Sequence, residues 1–322
     1  MHNRLAVERV VLTSPRGFCA GVERAIETVE VCLQRYGAPI YVYHEIVHNK
    51  HVVEDLQKKG AVFVDAVDDV PPGGTLIFSA HGISPEVRNA AEAKGLTAID
   101  ATCPLVTKVH REAIKFATEG YSILLVGHAG HQEVIGTMGE APDRIQLVET
   151  VDDIARVVVE DPLKVAVITQ TTLSIDDTTA IIEAIRARFP AVIFPPKEDI
   201  CYATTNRQRA VKALAKQVDL VLVIGSHNSS NSRRLAEVSQ ACGAQAYLIN
   251  DVQAIDAAWF TATTRVGITA GASAPERLVK EVVNYFRERG VKTVDELSVV
   301  PESVSFGLPR EIKVAKLTEV NG

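Results

Sequence analysis

The sequence lacks the features that would point to a membrane or a nucleic acid as the main partner. No apolar run approaches the roughly 20 residues that span a bilayer, and the first residues, MHNRLAVERVVL, lack the continuous apolar core of a signal peptide. Basic residues are not in excess, because 34 lysines and arginines are interspersed with 40 aspartates and glutamates, for a net charge of −6. We therefore expect a cytoplasmic protein that binds neither membrane nor nucleic acid.

Aromatic residues, nucleotide-binding glycine motifs and a disulfide framework are also scarce or missing. Only 5% of the chain is aromatic against 47% apolar, so we expect aliphatic cores rather than large aromatic clusters. No GxGxxG follows a predicted strand, which argues against a bound nicotinamide, and there is no GxxxxGK[ST] loop. Five cysteines spread over 322 residues form no disulfide pattern, which favours metal binding or catalysis for some of them.

Short aliphatic segments alternate with amphipathic segments along the whole chain. The predicted buried strands are VVLTS, IYVYH, TLIFSA, TAID, SILLVG, KVAVITQ, AVIF, LVLVIG, AYLI and VGITA. The intervening segments carry helix start and stop signals, such as Ser84-Pro85 before one predicted helix and Gly95 after it. This alternation predicts an α/β fold with mainly parallel sheets.

The ends of the predicted strands indicate a weak internal repeat. TLIFSAHG, SILLVGHAGH and LVLVIGSHNSSN are each a buried strand followed by a small residue, a histidine and further small polar residues. Three units of about 100 residues fit this pattern. We predict three similar small α/β domains at residues 1–103, 104–199 and 200–285, with the tail 286–322 returning to the first. They are expected to surround a shared centre, because α/β folds bind ligands at the carboxyl ends of strands.

Three of the five cysteines occupy equivalent positions in this repeat. Cys19, Cys103 and Cys201 each stand in a loop just before a predicted helix, where unpaired backbone N–H groups favour the thiolate. Cys32 and Cys242 are interpreted as core or surface thiols. Three thiolates could complete a zinc site with a histidine, or hold a four-iron four-sulfur cluster with one iron left open. A substrate oxygen could bind at such an open position.

Polar residues at other strand ends predict an anion site. The histidines among them lie beside glycine, alanine or asparagine, and the serines and the asparagine stand at predicted helix N-termini, where backbone N–H groups also point. Helix capping explains any one of them, but it explains the whole set less well. The candidate anion-binding residues are His48, His81, His131, Ser229, Ser230, Asn231 and Ser273.

One carboxyl group and one hydroxyl group are candidates for moving protons. Glu133 follows His131 by two residues, and a partly buried carboxyl near bound anions would have a raised pKa and could deliver a proton. The alternative is that Glu133 is a surface residue of a loop. Thr171 is a weaker candidate, because threonine is common at a strand end before a helix.

Long motifs, in order along the chain, resemble those of one protein family. They are PRGFCAGVERAI, HEIVHNKHVV, IFSAHG, DATCPLVTKVH, GHAGHQEVIGTMG, TQTTLS, DICYATTNRQ, GSHNSSNS and TAGASAP, and the resemblance covers roughly residues 11 to 285. With these motifs the chain resembles the LytB/IspH family of 4-hydroxy-3-methylbut-2-enyl diphosphate reductases.

The resemblance implies a set of roles for the candidate residues. It implies three α/β domains around one central four-iron four-sulfur cluster with an open iron, and the implied cluster ligands are Cys19, Cys103 and Cys201. The implied catalytic residues are Glu133, Thr171 and His131. The implied substrate-binding residues are His48, His81, His131, Thr171, Ser229, Ser230, Asn231 and Ser273.

The resemblance also implies a reaction. The hydroxyl group of (E)-4-hydroxy-3-methylbut-2-enyl diphosphate would be removed reductively, giving isopentenyl and dimethylallyl diphosphate in the last step of the non-mevalonate isoprenoid pathway. A reduced ferredoxin or flavodoxin is the expected electron donor, since no nicotinamide motif is present. The residues alone also allow an iron–sulfur hydro-lyase, a non-enzymatic iron–sulfur sensor or a structural zinc protein.

Overall fold

The computed structural model describes residues 5–260 and 265–312. In these ranges the strands are β1 (Arg9–Ser14), β2 (Ile40–Tyr43), β3 (Ala61–Val64), β4 (Thr75–Phe78), β5 (Thr97–Asp100), β6 (Ser122–Val126), β7 (Ile145–Val148), β8 (Val165–Thr169), β9 (Leu220–Ile224), β10 (Gln245–Ile249), β11 (Arg265–Ala270) and β12 (Thr293–Ser298). The α-helices are α1 (Ala20–Tyr36), α2 (Lys50–Lys58), α3 (Pro85–Ala93), α4 (Pro104–Thr118), α5 (Gln132–Glu140), α6 (Ile175–Arg188), α7 (Tyr202–Ala215), α8 (Ser230–Ala241) and α9 (Glu276–Glu288).

The strands form three sheets, and every strand pair in them is parallel. The strand orders are β10-β9-β11-β1-β12, β3-β2-β4-β5 and β7-β6-β8. Strands β6, β8 and β9 are buried along their whole length. That is why their sequences are continuous aliphatic runs rather than alternating patterns. The predicted α/β class with mainly parallel sheets is confirmed.

The described residues fall into two compact units. The first unit comprises residues 5–19, 48–52, 202–260 and 265–304 and contains the five-stranded sheet. The second unit comprises residues 20–47, 53–201 and 305–312 and contains the four-stranded and three-stranded sheets. The limits of the three predicted domains stay a prediction, and part of the predicted returning tail, residues 313–322, lies outside the described residues.

Strand β1 lies in the sheet of the late strands rather than with β2 to β5. It pairs with β11 on one side and with β12 on the other, so the first strand of the chain sits between two of the last. The amino end of the chain therefore brings the loop before α1 to the same sheet edge as the loop after β11. This places Cys19 close in the fold to the loop that contains Ser273.

The predicted strand AVIF, at residues 191–194, is wrong. Ile193 makes only an isolated parallel bridge to Ala166. Pairing ends there because Pro195 and Pro196 follow and have no N–H group to donate to a ladder. Strands β3, β7 and β12 were not predicted from the sequence.

Aliphatic and aromatic side chains fill the core of the first unit. Leu222 and Ile268 of the sheet pack in one cluster with Val282 and Phe286 of α9. These side chains are at most 1% exposed, so the helix is held against the sheet by apolar burial. In the part of the chain that is described, no helix is both long enough and apolar enough to cross a membrane.

Candidate active site

The three cysteines predicted as ligands all stand at the start of a helix. Cys19 directly precedes α1, Cys103 is the N-cap residue of α4, and Cys201 directly precedes α7. None of the three is in a disulfide, and all are partly exposed. Cys32, by contrast, is fully buried, and burial raises the pKa of its thiol to about 11. Cys32 is therefore a core thiol, one of the two interpretations that the sequence allowed.

The backbone N–H of each predicted ligand, Cys19, Cys103 and Cys201, is hydrogen-bonded to another predicted polar loop. The N–H of Cys19 donates to the carbonyl of Ala272, which precedes Ser273, at 3.3 Å. The N–H of Cys103 donates to the carbonyl of Ala80, which precedes His81, at 3.0 Å. The N–H of Cys201 donates to the carbonyl of Thr171 at 3.0 Å. Every thiol is thus joined through one main-chain hydrogen bond to a strand end that carries a candidate site residue.

The chemistry of three cysteine thiols, considered one by one, is compatible with ligands of an iron–sulfur cluster. Among residues 5–260 and 265–312, no three His, Cys, Asp or Glu side chains are grouped so as to hold a metal ion. The thiolates of a cluster bind different iron atoms, so their fit is judged by the surroundings of each thiol. Each of the three is partly exposed and stands at the N-cap of a helix or directly before its first residue, and cysteine thiolates are the usual ligands of iron–sulfur clusters.

Glu133 and Thr171 form a buried pair in the second unit. Glu133 lies in the first turn of α5 and Thr171 lies just after β8, and they are 3% and 4% exposed. The backbone N–H of Thr171 donates to Glu133 Oε1 at 2.6 Å, and the Thr171 hydroxyl donates to Glu133 Oε2 at 2.9 Å. The alternative of a surface loop residue is therefore wrong for Glu133.

The surroundings of Glu133 favour its protonated form. Burial raises the pKa of Glu133 to about 7, the two hydrogen bonds from Thr171 act to lower it, and the negative charge of Asp199 adds to the rise. The predicted rise of the pKa is confirmed, and its main cause is burial. A carboxyl group with a pKa near neutrality can give up a proton at physiological pH.

His131 and His81 lie close together in the same unit. Their ring centroids are 6.0 Å apart, with the rings edge to face. His131 is the N-cap residue of α5, and its Nδ1 accepts the backbone N–H of Glu133 at 3.2 Å. A neutral His131 must therefore carry its proton on Nε2, which makes that nitrogen a hydrogen-bond donor.

Two glycines allow the loop of His81 to lie directly on α5. A Cβ on Gly136 would stand 3.2 Å from the carbonyl carbon of Gly82, so no larger residue fits at Gly136 without a shift. Gly82 has a φ of +83°, and its own Cβ would meet His110 at 3.0 Å. His110 is itself held by Glu140, whose Oε1 lies 2.7 Å from its Nδ1. The short distance between His81 and His131 depends on this close backbone contact.

We expect Gly82→Ala to weaken substrate binding and to destabilise the protein more than Gly95→Ala. Both glycines have positive φ, but a Cβ on Gly95 meets nothing within 4 Å. Gly95→Ala should therefore lower the free energy of unfolding only by the strain of about 1–2 kcal/mol. Gly82→Ala adds the clash with His110, which displaces the loop of His81. Denaturant unfolding and the Michaelis constant of both variants check this, and equal values for the two would contradict it.

The first unit holds a second group of candidate residues around the start of α8. Ser229 is the N-cap residue of this helix, and Ser230 and Asn231 form its first turn. Asn231 is 5% exposed, and neither its Oδ1 nor its Nδ2 has a hydrogen-bond partner among the described residues. Buried amide atoms are normally paired, so this side chain is suited to a polar ligand. On the neighbouring loop, the Ser273 hydroxyl donates to the carbonyl of His48 at 2.9 Å.

Ser232 is a buried residue of this group that the sequence did not reveal. Its N–H and its hydroxyl both donate to Ser229 Oγ, at 3.3 Å and 3.1 Å, which leaves the proton of Ser229 to be donated elsewhere. Its Oγ lies between Gly225 and Gly271, where a Cβ on either glycine would overlap it. The sequence signal for Ser232 is the pair of glycines that follow two adjacent strands. That signal can be interpreted only when the fold shows that both glycines face Ser232.

The structure thus groups the candidate residues in two sets. The set in the first unit is Cys19, His48, Ser229, Ser230, Asn231 and Ser273, and the set in the second unit is His81, Cys103, His131, Glu133, Thr171 and Cys201. Both sets lie in loops at the carboxyl ends of parallel strands or in the helix starts that follow them. A buried carboxyl group of raised pKa in the second unit and unpaired buried amide atoms in the first are features typical of an α/β enzyme.

Comparison with known proteins gives the family. The family model described as LytB protein matches residues 10–287. A relative from Ralstonia nicotianae, named 4-hydroxy-3-methylbut-2-enyl diphosphate reductase, is 58% identical over 305 residues, 95% of this chain and 94% of the relative. The chain belongs to the LytB family, and the resemblance drawn from its motifs is confirmed.

Solved structures agree with this assignment. The structure of the E-1-hydroxy-2-methyl-but-2-enyl-4-diphosphate reductase from Plasmodium falciparum is 41% identical, with a TM-score of 0.93, and the match covers 98% of this chain and all of that one. A second structure is described as (E)-4-hydroxy-3-methyl-but-2-enyl diphosphate reductase, the terminal enzyme of the non-mevalonate pathway. It is 35% identical, with a TM-score of 0.62, over 88% of this chain and all of that one.

Proposed function

We propose that this chain catalyses the reductive dehydroxylation of (E)-4-hydroxy-3-methylbut-2-enyl diphosphate to isopentenyl and dimethylallyl diphosphate, the last step of the non-mevalonate pathway. Two electrons and two protons are consumed, the C–O bond is broken, a C–H bond forms, and the hydroxyl leaves as water. The observation that carries the proposal is the buried Glu133–Thr171 pair, found in a chain that is 58% identical to a relative named for this activity.

The proposed cofactor is one four-iron four-sulfur cluster with three protein ligands. Cys19, Cys103 and Cys201 would hold it, because each is a partly exposed cysteine outside any disulfide and stands at a helix N-terminus. When bound, such a cluster supplies the electrons of the reduction and one iron without a protein ligand.

Glu133 and Thr171 are proposed to move a proton to the leaving hydroxyl. The N–H of Thr171 always donates to Oε1, so the proton of a neutral Glu133 belongs on Oε2. The 2.9 Å contact then allows Oε2–H to donate to the Thr171 hydroxyl, whose own proton is free to turn toward the substrate. Protonation is needed because hydroxide is a poor leaving group, whereas water leaves readily.

The diphosphate is proposed to bind mainly through neutral donors. The candidate residues are His48, His81, His131, Ser229, Ser230, Asn231 and Ser273, and none of them is lysine or arginine. The unpaired amide of Asn231 and the available proton of Ser229 support this, as does the N-terminus of α8 beside them. Neutral donors bind an anion without the free-energy penalty of burying further charges.

The proposal places the enzyme in the cytoplasm, with reduced ferredoxin or flavodoxin as the electron donor.

We expect anaerobically purified protein to be brown, to contain iron and acid-labile sulfide, and to convert the allylic diphosphate only with a reductant. Turnover without reductant would favour a hydro-lyase. Failure to bind the diphosphate with an intact cluster would favour a sensor. Colourless protein with zinc and no sulfide would overturn the proposal.

A further inference from the structure

Each helix that follows a proposed cluster ligand carries a cation about one and a half turns along. Arg24 lies on α1, five residues after Cys19, and Lys108 lies on α4, five residues after Cys103. Arg207 lies on α7, six residues after Cys201. None of these cations belongs to the candidate set for the substrate, and each makes hydrogen bonds to a distant loop.

Arg24 binds the loop of the second cysteine. Its Nη1 donates to the carbonyl of Thr102 at 2.9 Å, and its Nη2 donates to the carbonyl of Asp100 at 3.3 Å. Thr102 directly precedes Cys103, so the carbonyl that Arg24 holds belongs to the same peptide group as the Cys103 N–H. That N–H donates to Ala80. The peptide before Cys103 is therefore fixed at both ends.

Lys108 binds the loop of the third cysteine. Its Nζ donates to the carbonyls of Lys197 at 2.8 Å and Glu198 at 3.3 Å, and to Asp199 Oδ1 at 2.6 Å. The other carboxylate oxygen of Asp199 accepts the N–H of Thr169 at 2.9 Å, at the end of β8. The three residues held by Lys108 lie two to four positions before Cys201.

Arg207 binds the loop of the first cysteine. Its side chain is fully buried, and its Nη2 donates to the carbonyls of Gly17 at 2.7 Å and Phe18 at 3.2 Å. Phe18 directly precedes Cys19, whose N–H donates to Ala272, so this peptide is also fixed at both ends. Glu302 completes the contacts by accepting from Nη1 at 3.0 Å, which balances the buried charge.

We propose that Arg24, Lys108 and Arg207 are positioning residues for the three cysteine loops, and that each acts on the next cysteine in a closed order. The helix after Cys19 holds the loop of Cys103, the helix after Cys103 holds the loop of Cys201, and the helix after Cys201 holds the loop of Cys19. The function of this arrangement rests on the proposed cluster. Its physical effect is to draw carbonyl oxygens toward a cation, so that they cannot turn toward an anionic cofactor.

The closed order makes a prediction that general stabilisation of the fold does not make. Removing a cation should loosen the cysteine of the next helix, not the cysteine at the start of its own helix. Arg207→Met should affect Cys19 and spare Cys201. Arg24→Met should affect Cys103, and Lys108→Met should affect Cys201.

The test measures iodoacetamide alkylation of each cysteine by peptide mass spectrometry, in the full-length chain after anaerobic removal of iron. We expect the affected cysteine to react about tenfold faster, because charge-assisted hydrogen bonds that close its loop are lost. Matched controls change another cation on the same helix. They are Arg35→Met on α1, whose Nη1 donates to the carbonyl of Ile312, Lys115→Met on α4, which pairs with Glu119, and Arg209→Met at an exposed position of α7. They should leave all three rates unchanged.

Two further measurements keep the test decisive. Arg207→Lys and Arg24→Lys retain a donor, so if a methionine variant fails to fold, the lysine variant should show a smaller change at the same cysteine. Iron and sulfide per chain in anaerobically isolated protein should fall in the methionine variants and not in the controls. Faster reaction of all three cysteines, or of the one preceding the changed residue, would overturn the proposal. A wild-type protein without iron or sulfide would instead overturn the proposed function and leave the alkylation test valid.

Discussion

Glu133→Gln is expected to lower turnover by about 10²- to 10⁴-fold while substrate binding stays close to that of the wild type. Glutamine has no acidic proton, yet its amide can keep both contacts with Thr171, since its oxygen accepts the backbone N–H and its NH₂ group can donate to the hydroxyl. The geometry of the site is then preserved and only the proton is lost. Steady-state assays with a chemical reductant check this, and near-normal turnover would remove Glu133 from the acid role.

The pH dependence of the wild type gives an independent reading of the same group. The pKa of Glu133 is raised to about 7, so the carboxyl is protonated below that pH and loses its proton as the pH rises through it. Turnover should therefore fall on the alkaline side of about pH 7. The control Glu183→Gln, at an exposed position of α6, should keep both the rate and this alkaline limb. If the alkaline limb of the pH profile were unchanged in Glu133→Gln, the group that titrates there would not be Glu133.

Gly271→Ala is expected to weaken diphosphate binding by about tenfold or more, through loss of ordered hydrogen bonds to the anion. Its Cβ would overlap Ser232 Oγ and stand 3.3 Å from Asn231 Nδ2, so both residues at the start of α8 must move. Overpacking of this kind lowers the free energy of unfolding by about 1–3 kcal/mol. Calorimetric titration with inorganic diphosphate and denaturant unfolding measure the two effects.

A second substitution tests whether the clash is the cause. Gly271→Ala combined with Ser232→Ala removes the overlapping oxygen and leaves a Cβ-to-Cβ approach of 3.1 Å, which a small adjustment can relieve. The double variant should regain most of the lost stability. If it is as unstable as Gly271→Ala, the clash with Ser232 is not the reason, and Gly271 serves the backbone alone.

The sequence predicted those parts of the fold that are determined by local pattern. Strands β6, β8 and β9 were found because they are buried on both faces and therefore read as unbroken aliphatic runs. Strand β12 was missed because none of its residues is fully buried, so it shows no such run. AVIF has the composition of a strand, but the prolines after it stop the pairing, and composition alone does not weigh that effect.

The residues of the candidate site likewise fall into those that local sequence pattern reveals and those that it does not. Residues in loop motifs, such as Cys103 and Asn231, could be chosen because polar groups at strand ends are conspicuous in an aliphatic chain. Ser232 and Arg207 could not, because a serine inside a helix and an arginine inside a helix have no unusual pattern. Their importance comes from what lies opposite them: two glycines for Ser232 and the carbonyls before Cys19 for Arg207. Such partners, distant in sequence, become visible only in three dimensions.

The hydrogen bond from the N–H of Cys201 to the carbonyl of Thr171 has a mechanical consequence. A main-chain hydrogen bond joins the residue proposed as one ligand of the redox centre to the residue whose hydroxyl is proposed to pass the proton. A displacement of either is transmitted to the other. The proposed cluster ligand and the proposed proton donor therefore depend on the same hydrogen bond for their positions. A substitution that breaks this bond should displace both.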